Sequence, residues 1–118
     1  MSKVLIYHNP RWEKSRESVQ ILNDLGVDYE IINYLNNPPS AGELLSLANK
    51  MGVKARDFIR TKEAVFRELD LKPHLDDDTF MFQKMSENPK LIERPIVVKG
   101  DRAVVGRPPG RIREFLKS

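Results

Sequence analysis

Lys3-Val4-Leu5-Ile6-Tyr7-His8, then Asn9-Pro10, then a run from about Lys14 to Leu25 decides how this chain folds. The opening run is short, apolar and partly β-branched, and predicts a buried strand. Asn9-Pro10 breaks it. In the next run Ser18, Val19, Leu22 and Leu25 recur at helical spacing with Ile21 beside them, and Gly26 supplies the stop expected just past a helix end. A second strand is expected from Asp28 to Tyr34, closed by the turn formers Asn36-Asn37-Pro38-Pro39. Strand, helix, strand in this order implies a crossover, and a crossover pairs its two strands in parallel.

Further along, Ser40 is a candidate N-cap, with Glu43 three residues later completing a capping box ahead of Leu44, Leu45 and Leu47. Two or three short helical segments are expected between Ala55 and Asn88. The clearest is headed by Asp76-Asp77-Asp78, whose carboxylates suit the positive end of a helix dipole. Pro95 to Lys99 and Arg102 to Val105 flank Gly100-Asp101, a two-residue hairpin signal. A helix from Pro108 to Leu116 is expected to bury Ile112, Phe115 and Leu116. The economical packing is α/β, a small mixed sheet with helices on both faces and a helical insert, in a single domain spanning 1–118. Met81, Phe82 and Met85 read as filler of the insert.

Composition narrows the chemistry. Apolar residues make up 40% and charged residues 31% of 118, the balance of a soluble globular chain. No apolar run is long enough to span a membrane, and Met1-Ser2-Lys3 does not open a signal peptide, so a cytoplasmic monomer is expected. The net charge of +3 is mild, which makes the placement of charges more informative than their sum. There is no cysteine, which removes disulfides, cysteine metal sites and thiol catalysis together. His74 lies near Asp76, Asp77 and Asp78, but those aspartates read as a helix start, and no metal is expected. Arg111, Arg113 and Lys117 complement a helix end, and without aromatic stacking platforms nucleic acid is not expected as a partner.

The loop between the first strand and the first helix, His8-Asn9-Pro10-Arg11-Trp12-Glu13-Lys14-Ser15-Arg16, is the most informative segment. Ligands of open α/β sheets favour the carboxyl ends of strands, where free N–H groups at a helix start attract anions. Arg11, Lys14 and Arg16 add positive charge where a helix dipole disfavours it, which fits either solvated surface cations or an anion site. Arg94 precedes Pro95 at one end of the hairpin and Arg107 precedes Pro108-Pro109 at the other, so the two can converge. Arginine suits oxyanions because its fork donates paired hydrogen bonds. Arg60, in Phe58-Ile59-Arg60-Thr61-Lys62-Glu63, is a candidate to join them from the insert.

These residues resemble the glutaredoxin-linked arsenate reductases. The likeness begins with His8-Asn9-Pro10-Arg11 and Lys14-Ser15-Arg16-Glu17, and continues through Tyr34-Leu35, Pro38-Pro39-Ser40 and Arg60-Thr61-Lys62-Glu63. It ends with Glu87 to Val98 and Val105-Gly106-Arg107-Pro108-Pro109, and so covers essentially the whole chain. The resemblance implies a thioredoxin-like fold of about four strands, with an α-helical insert over about 40–90 and a cis Pro95 facing the active loop. It also implies site roles. In the family, a cysteine at the position of Trp12 attacks arsenate, and arginines at the positions of Arg60, Arg94 and Arg107 hold the oxyanion. A histidine at the position of His8 lowers the thiol pKa, and the hydroxyl at Ser15 is placed to bond the thiolate. Asn9, Pro10, Arg11, Lys14 and Arg16 complete the loop and helix start. Glutathione then attacks the bound arsenic as co-substrate, and glutaredoxin reduces the mixed disulfide.

The chain departs from this pattern where the nucleophile belongs. Trp12 offers a donor N–H and a π face, neither of which can be deprotonated, attack and then leave. Glu13 beside it repels an anion. The expectation is therefore an arsenate reductase relative without the family reaction and without a bound cofactor, retaining affinity for an oxyanion (arsenate, sulfate or phosphate) or for glutathione. Trp12 either plugs the pocket or stacks on a cation, or marks drift after the chemistry was lost. The alternative is a protein-interaction module like the RNA-polymerase-binding regulators that resemble this family. Those typically carry a pair of first-loop cysteines, absent here, and tend to lack the Gly106-Arg107-Pro108-Pro109 ending kept here.

Overall fold

The computed structural model describes residues 3–9, 13–108 and 110–117 of the chain, the side chain of Lys14 excepted. The expectations placed on Pro10, Arg11, Trp12, Pro109 and the Lys14 side chain lie outside the described residues. The described residues divide into two compact units, one ending at Asn37 and resuming at Arg94, the other running from Pro38 to Glu93.

The first unit holds the sheet. Strand β1 (Val4–His8) leads into helix α1 (Glu13–Leu25), which returns the chain to β2 (Tyr29–Asn33). The crossover makes β1 and β2 parallel, with Val4 opposite Tyr29 and His8 opposite Asn33. Strands β3 (Ile96–Lys99) and β4 (Arg102–Val105) form the hairpin, and β3 lies antiparallel to β1 with Tyr7 opposite Ile96. The strand order is β2-β1-β3-β4, a thioredoxin-like sheet flanked by helices. At the hairpin turn Gly100 takes φ 62° while Asp101 is not among the positive-φ residues, the pattern of a II′ turn.

Val4, Ile6, Leu22, Val97 and Ile112 form the core, with Val19, Ile21, Val104, Phe115 and Leu116 packed around it. The first helix and the closing helix, Gly110–Lys117, therefore meet the same face of the sheet within this unit. Tyr7, Ile96 and Val98 point to the other face and are also buried. Phe115 and Leu116 are half-buried rather than buried as expected. Phe115 lies at the rim, where its ring receives the Arg102 guanidinium at 5.1 Å.

The second unit is built from short helices, α2 (Ala41–Met51), α3 (Ala64–Glu68) and α4 (Asp78–Glu87), with single 3-10 turns at Ala55–Asp57, Lys72–His74 and Pro89–Leu91. Ser40 Oγ accepts from the Glu43 N–H at the start of α2, and Gly52 ends it in the left-handed region at φ 70°. Asp77 caps α4 by accepting from the Phe80 N–H. Leu44 and Leu47 of α2 are buried along with Met81, Phe82 and Met85 of α4, and Phe58 sits 6.2 Å from the Phe82 ring. The segment between Ala55 and Asn88 is more broken than the two or three helices expected. Runs of three residues suffice for a 3-10 turn but not for an apolar stripe that sequence spacing can reveal. Among the described residues no helix is long and apolar enough to cross a membrane.

Candidate functional site

The carboxyl end of β1, the start of α1 and the open end of the hairpin come together in the first unit. β1 delivers His8 and Asn9, both buried. The Asn9 N–H donates to Ser15 Oγ at 3.4 Å, which ties the strand end to the first turn of α1, where Ser15 is fully buried. Beyond the Ile96–Val105 pair, the Gly106 N–H donates to the Pro95 carbonyl at 2.8 Å. That bond extends the ladder by one step, so Arg94 and Arg107 leave adjacent strand ends. The Tyr7–Ile96 pairing sets the same end of β3 beside His8. Arg94 is buried and Arg107 is exposed.

The peptide bonds Arg94–Pro95 and Arg107–Pro108 are both cis. Gly106 between them has no room for a side chain, because a Cβ there would lie 2.9 Å from Ile112 Cγ1 and 3.3 Å from Pro95 Cγ. The second cis bond and this close approach were not legible in the sequence. Their only local trace is the Gly106-Arg107-Pro108 string.

Burial holds the His8 imidazole below the ordinary histidine pKa, and the positive charge of Arg16 lowers it further. Nδ1 of the ring is buried and has no hydrogen-bond partner among the described residues. The sign of the pH effect follows. Because the folded pKa lies below the unfolded one, the unfolded chain binds more protons between the two values. Stability is therefore expected to fall as the pH drops below about 6.5 and through the folded value. Urea midpoints measured from about pH 7 to about pH 5 should show this slope, and His8→Asn should flatten it.

Arg60 stands in the second unit. Its Nε donates to Glu63 Oε1 at 3.2 Å and its Nη1 to Glu93 Oε1 at 3.0 Å, with all three side chains largely screened from water. Around it the chain forms a small antiparallel bridge, in which Arg60 N–H donates to Leu91 O and Glu93 N–H to Phe58 O. The carboxylate partners were not singled out from the sequence, although the i, i+3 spacing of Arg60 and Glu63 was a usable signal. Glu13 and Arg16 lie exposed on the first turn of α1. His74 stacks at 4.5 Å on Phe80, and among the described residues no group of three acidic or histidine side chains could hold a metal. A groove of about 680 Å³ opens at the opposite end of the sheet, between Val4, Val27, Lys99, Arg102 and Leu116, and shares no residue with the His8 end.

A four-stranded sheet in the order β2-β1-β3-β4 flanked by helices, with a cis proline ahead of β3 and arginines at the hairpin's open end, defines the thioredoxin-like class of small α/β domains. This chain belongs to the ArsC family, whose model matches residues 7–115. It is 42% identical to the Escherichia coli K12 protein called YfgD over 97% of each chain. It is also 43% identical to an arsenate reductase of Haemophilus influenzae over 96% of this chain and 98% of that one. An arsenate reductase structure from Vibrio cholerae superposes with a TM-score of 0.89 at 43% identity, covering 96% of this chain and 97% of that one.

Proposed function

We propose that this arsenate reductase family member binds a tetrahedral oxyanion at the end of the hairpin and does not carry out cysteine-based reduction. The observation that carries the reading is the pairing of Arg94 and Arg107 on adjacent strand ends beside His8, in a chain of 118 residues without a cysteine. Arg94 is buried at the end of a strand, and its planar guanidinium is suited to donating paired hydrogen bonds to an oxyanion. The first turn of α1 adds N–H donors and the Arg16 charge. Glutathione, an anionic thiol, is the second ligand to try, because in the family reaction it meets the oxyanion at this loop. Arg60 is the remaining candidate, and its two carboxylates make structural use the competing role.

Trp12 is the only tryptophan, so its fluorescence reports on the loop. Titration with arsenate, sulfate and glutathione, repeated by calorimetry, is expected to give saturable oxyanion binding that weakens as salt is raised. With glutathione and glutaredoxin supplied, no arsenite should form. Absence of binding by both methods would overturn the site, and copurification with RNA polymerase would then replace it with the interaction-module reading. Arsenite formation by the unaltered chain would overturn the claim about reduction.

A further inference from the structure

We infer that the groove at the turn end of the hairpin is a second ligand site, which takes a small amphiphilic monoanion: a carboxylate carried on an apolar body, as in a medium-chain alkyl acid. The groove measures about 680 Å³ and is lined entirely by residues of the first unit. That size falls within the range of about 300–1,000 Å³ typical of small-molecule sites. It shares no residue with the His8 end, so this site and the oxyanion site stand or fall separately.

The hairpin supplies the charge. Val97 and Val104 are cross-strand partners and both face the core. Side chains alternate along a strand, so Lys99 and Arg102, two residues nearer the turn, come to the same face. They are themselves directly opposite one another, the pair that closes the hairpin on Gly100-Asp101. Like charges in that relation weaken a strand pair. The chain nevertheless holds both, half-buried, on the wall of the groove. Arg102 is further fixed by its place over the Phe115 ring at 5.1 Å, so its guanidinium is positioned before a ligand arrives. An anion between the two cations turns their repulsion into attraction.

The rest of the lining supplies the apolar half. Val4 is 3% exposed, and Val27 and Leu116 are half-buried beside it in the groove. An inorganic anion would leave this apolar surface in water, and a plain hydrocarbon would strip water from an ammonium and a guanidinium without replacing it. A molecule with an anionic head and an apolar body satisfies both. Asp28 and Asp101 also line the groove, and both are exposed. Their carboxylates repel a second negative charge, which selects a carboxylate over the dianions phosphate and sulfate.

The test is an amide NMR titration of the full chain at neutral pH with octanoate, hexanoate, octan-1-ol and inorganic phosphate. Octanoate is expected to saturate with a Kd of about 1 mM, an affinity its roughly ten heavy atoms can support, and to shift the amides of Val27, Gly100 and Leu116 while leaving Asn9 and Gly106 in place. Hexanoate should bind about tenfold more weakly, because two fewer methylenes are buried. Octan-1-ol, which keeps the body and lacks the charge, should bind at least about fivefold more weakly. Lys99→Gln should lower octanoate affinity by about fivefold and leave octan-1-ol unchanged. The site is overturned if octanoate gives no saturable shift at these amides, or if octan-1-ol binds as tightly as octanoate. It is overturned equally if Lys99→Gln binds octanoate unchanged, if hexanoate matches octanoate, or if phosphate moves the same amides. If Lys99→Gln does not fold, the four ligands on the unaltered chain still decide. Phosphate shifts confined to Asn9 and Gly106 would leave this site standing and report on the other.

Discussion

Trp12→Cys alone is expected to restore little arsenate reduction, and Trp12→Cys with Glu13→Ser to restore more. The first change supplies what the chain lacks, a side chain whose deprotonated form can attack arsenic and later leave. In sequence the position directly precedes Glu13, the first residue of α1, and N–H groups at a helix start favour a thiolate. Glu13 works against it, since a carboxylate in that first turn raises the thiol pKa and repels the incoming anion. At a separation of about 4 Å in water each pair of unit charges costs about 1 kcal/mol, so a dianion loses about tenfold or more in occupancy. Removing Glu13 forfeits a favourable dipole contact of about 0.3–1 kcal/mol, a small loss against the gain. Arsenite production with glutathione and glutaredoxin present is the measurement. Equal and substantial activity in the single and double variants would sink the electrostatic part of this account.

What the sequence made legible was local. Ser40 and Glu43, Asp77, and Gly100-Asp101 announce a cap, a helix start and a turn, because each acts within a few residues of itself. The β1–α1–β2 crossover was equally legible, since handedness and parallel pairing follow from element order. For the candidate site, what was legible was the convergence of Arg94 and Arg107 from the two ends of one hairpin. Partnerships that cross long stretches of chain were not. Nothing in Phe58-Ile59-Arg60-Thr61 says that Glu93 closes on Arg60. Nor does the pattern of α1 say that Ile112 of the closing helix shares its face of the sheet. The burial of His8 belongs to the same class: a histidine at a strand end looks alike in sequence whether its Nδ1 meets water or is cut off.

Arg94→Met and Arg60→Met are expected to fail in different ways. Arg94 is buried at the hairpin end that carries the proposed site, and methionine retains its stem while removing every donor. The expected result is loss of oxyanion affinity by at least about tenfold, together with a flatter dependence on salt because one cation has gone. Arg60 is bound to Glu63 and Glu93 at 3.2 and 3.0 Å, in surroundings largely closed to water. Its removal takes the guanidinium from both of these screened carboxylates, which is expected to cost about 1–3 kcal/mol of folding stability. An arginine already neutralised by two carboxylates has little charge left to offer an anion, so affinity should change less in Arg60→Met than in Arg94→Met. Urea unfolding and anion titration on the same two variants separate these outcomes. If Arg60→Met keeps its stability and loses binding as fully as Arg94→Met, the structural role assigned to Arg60 is overturned.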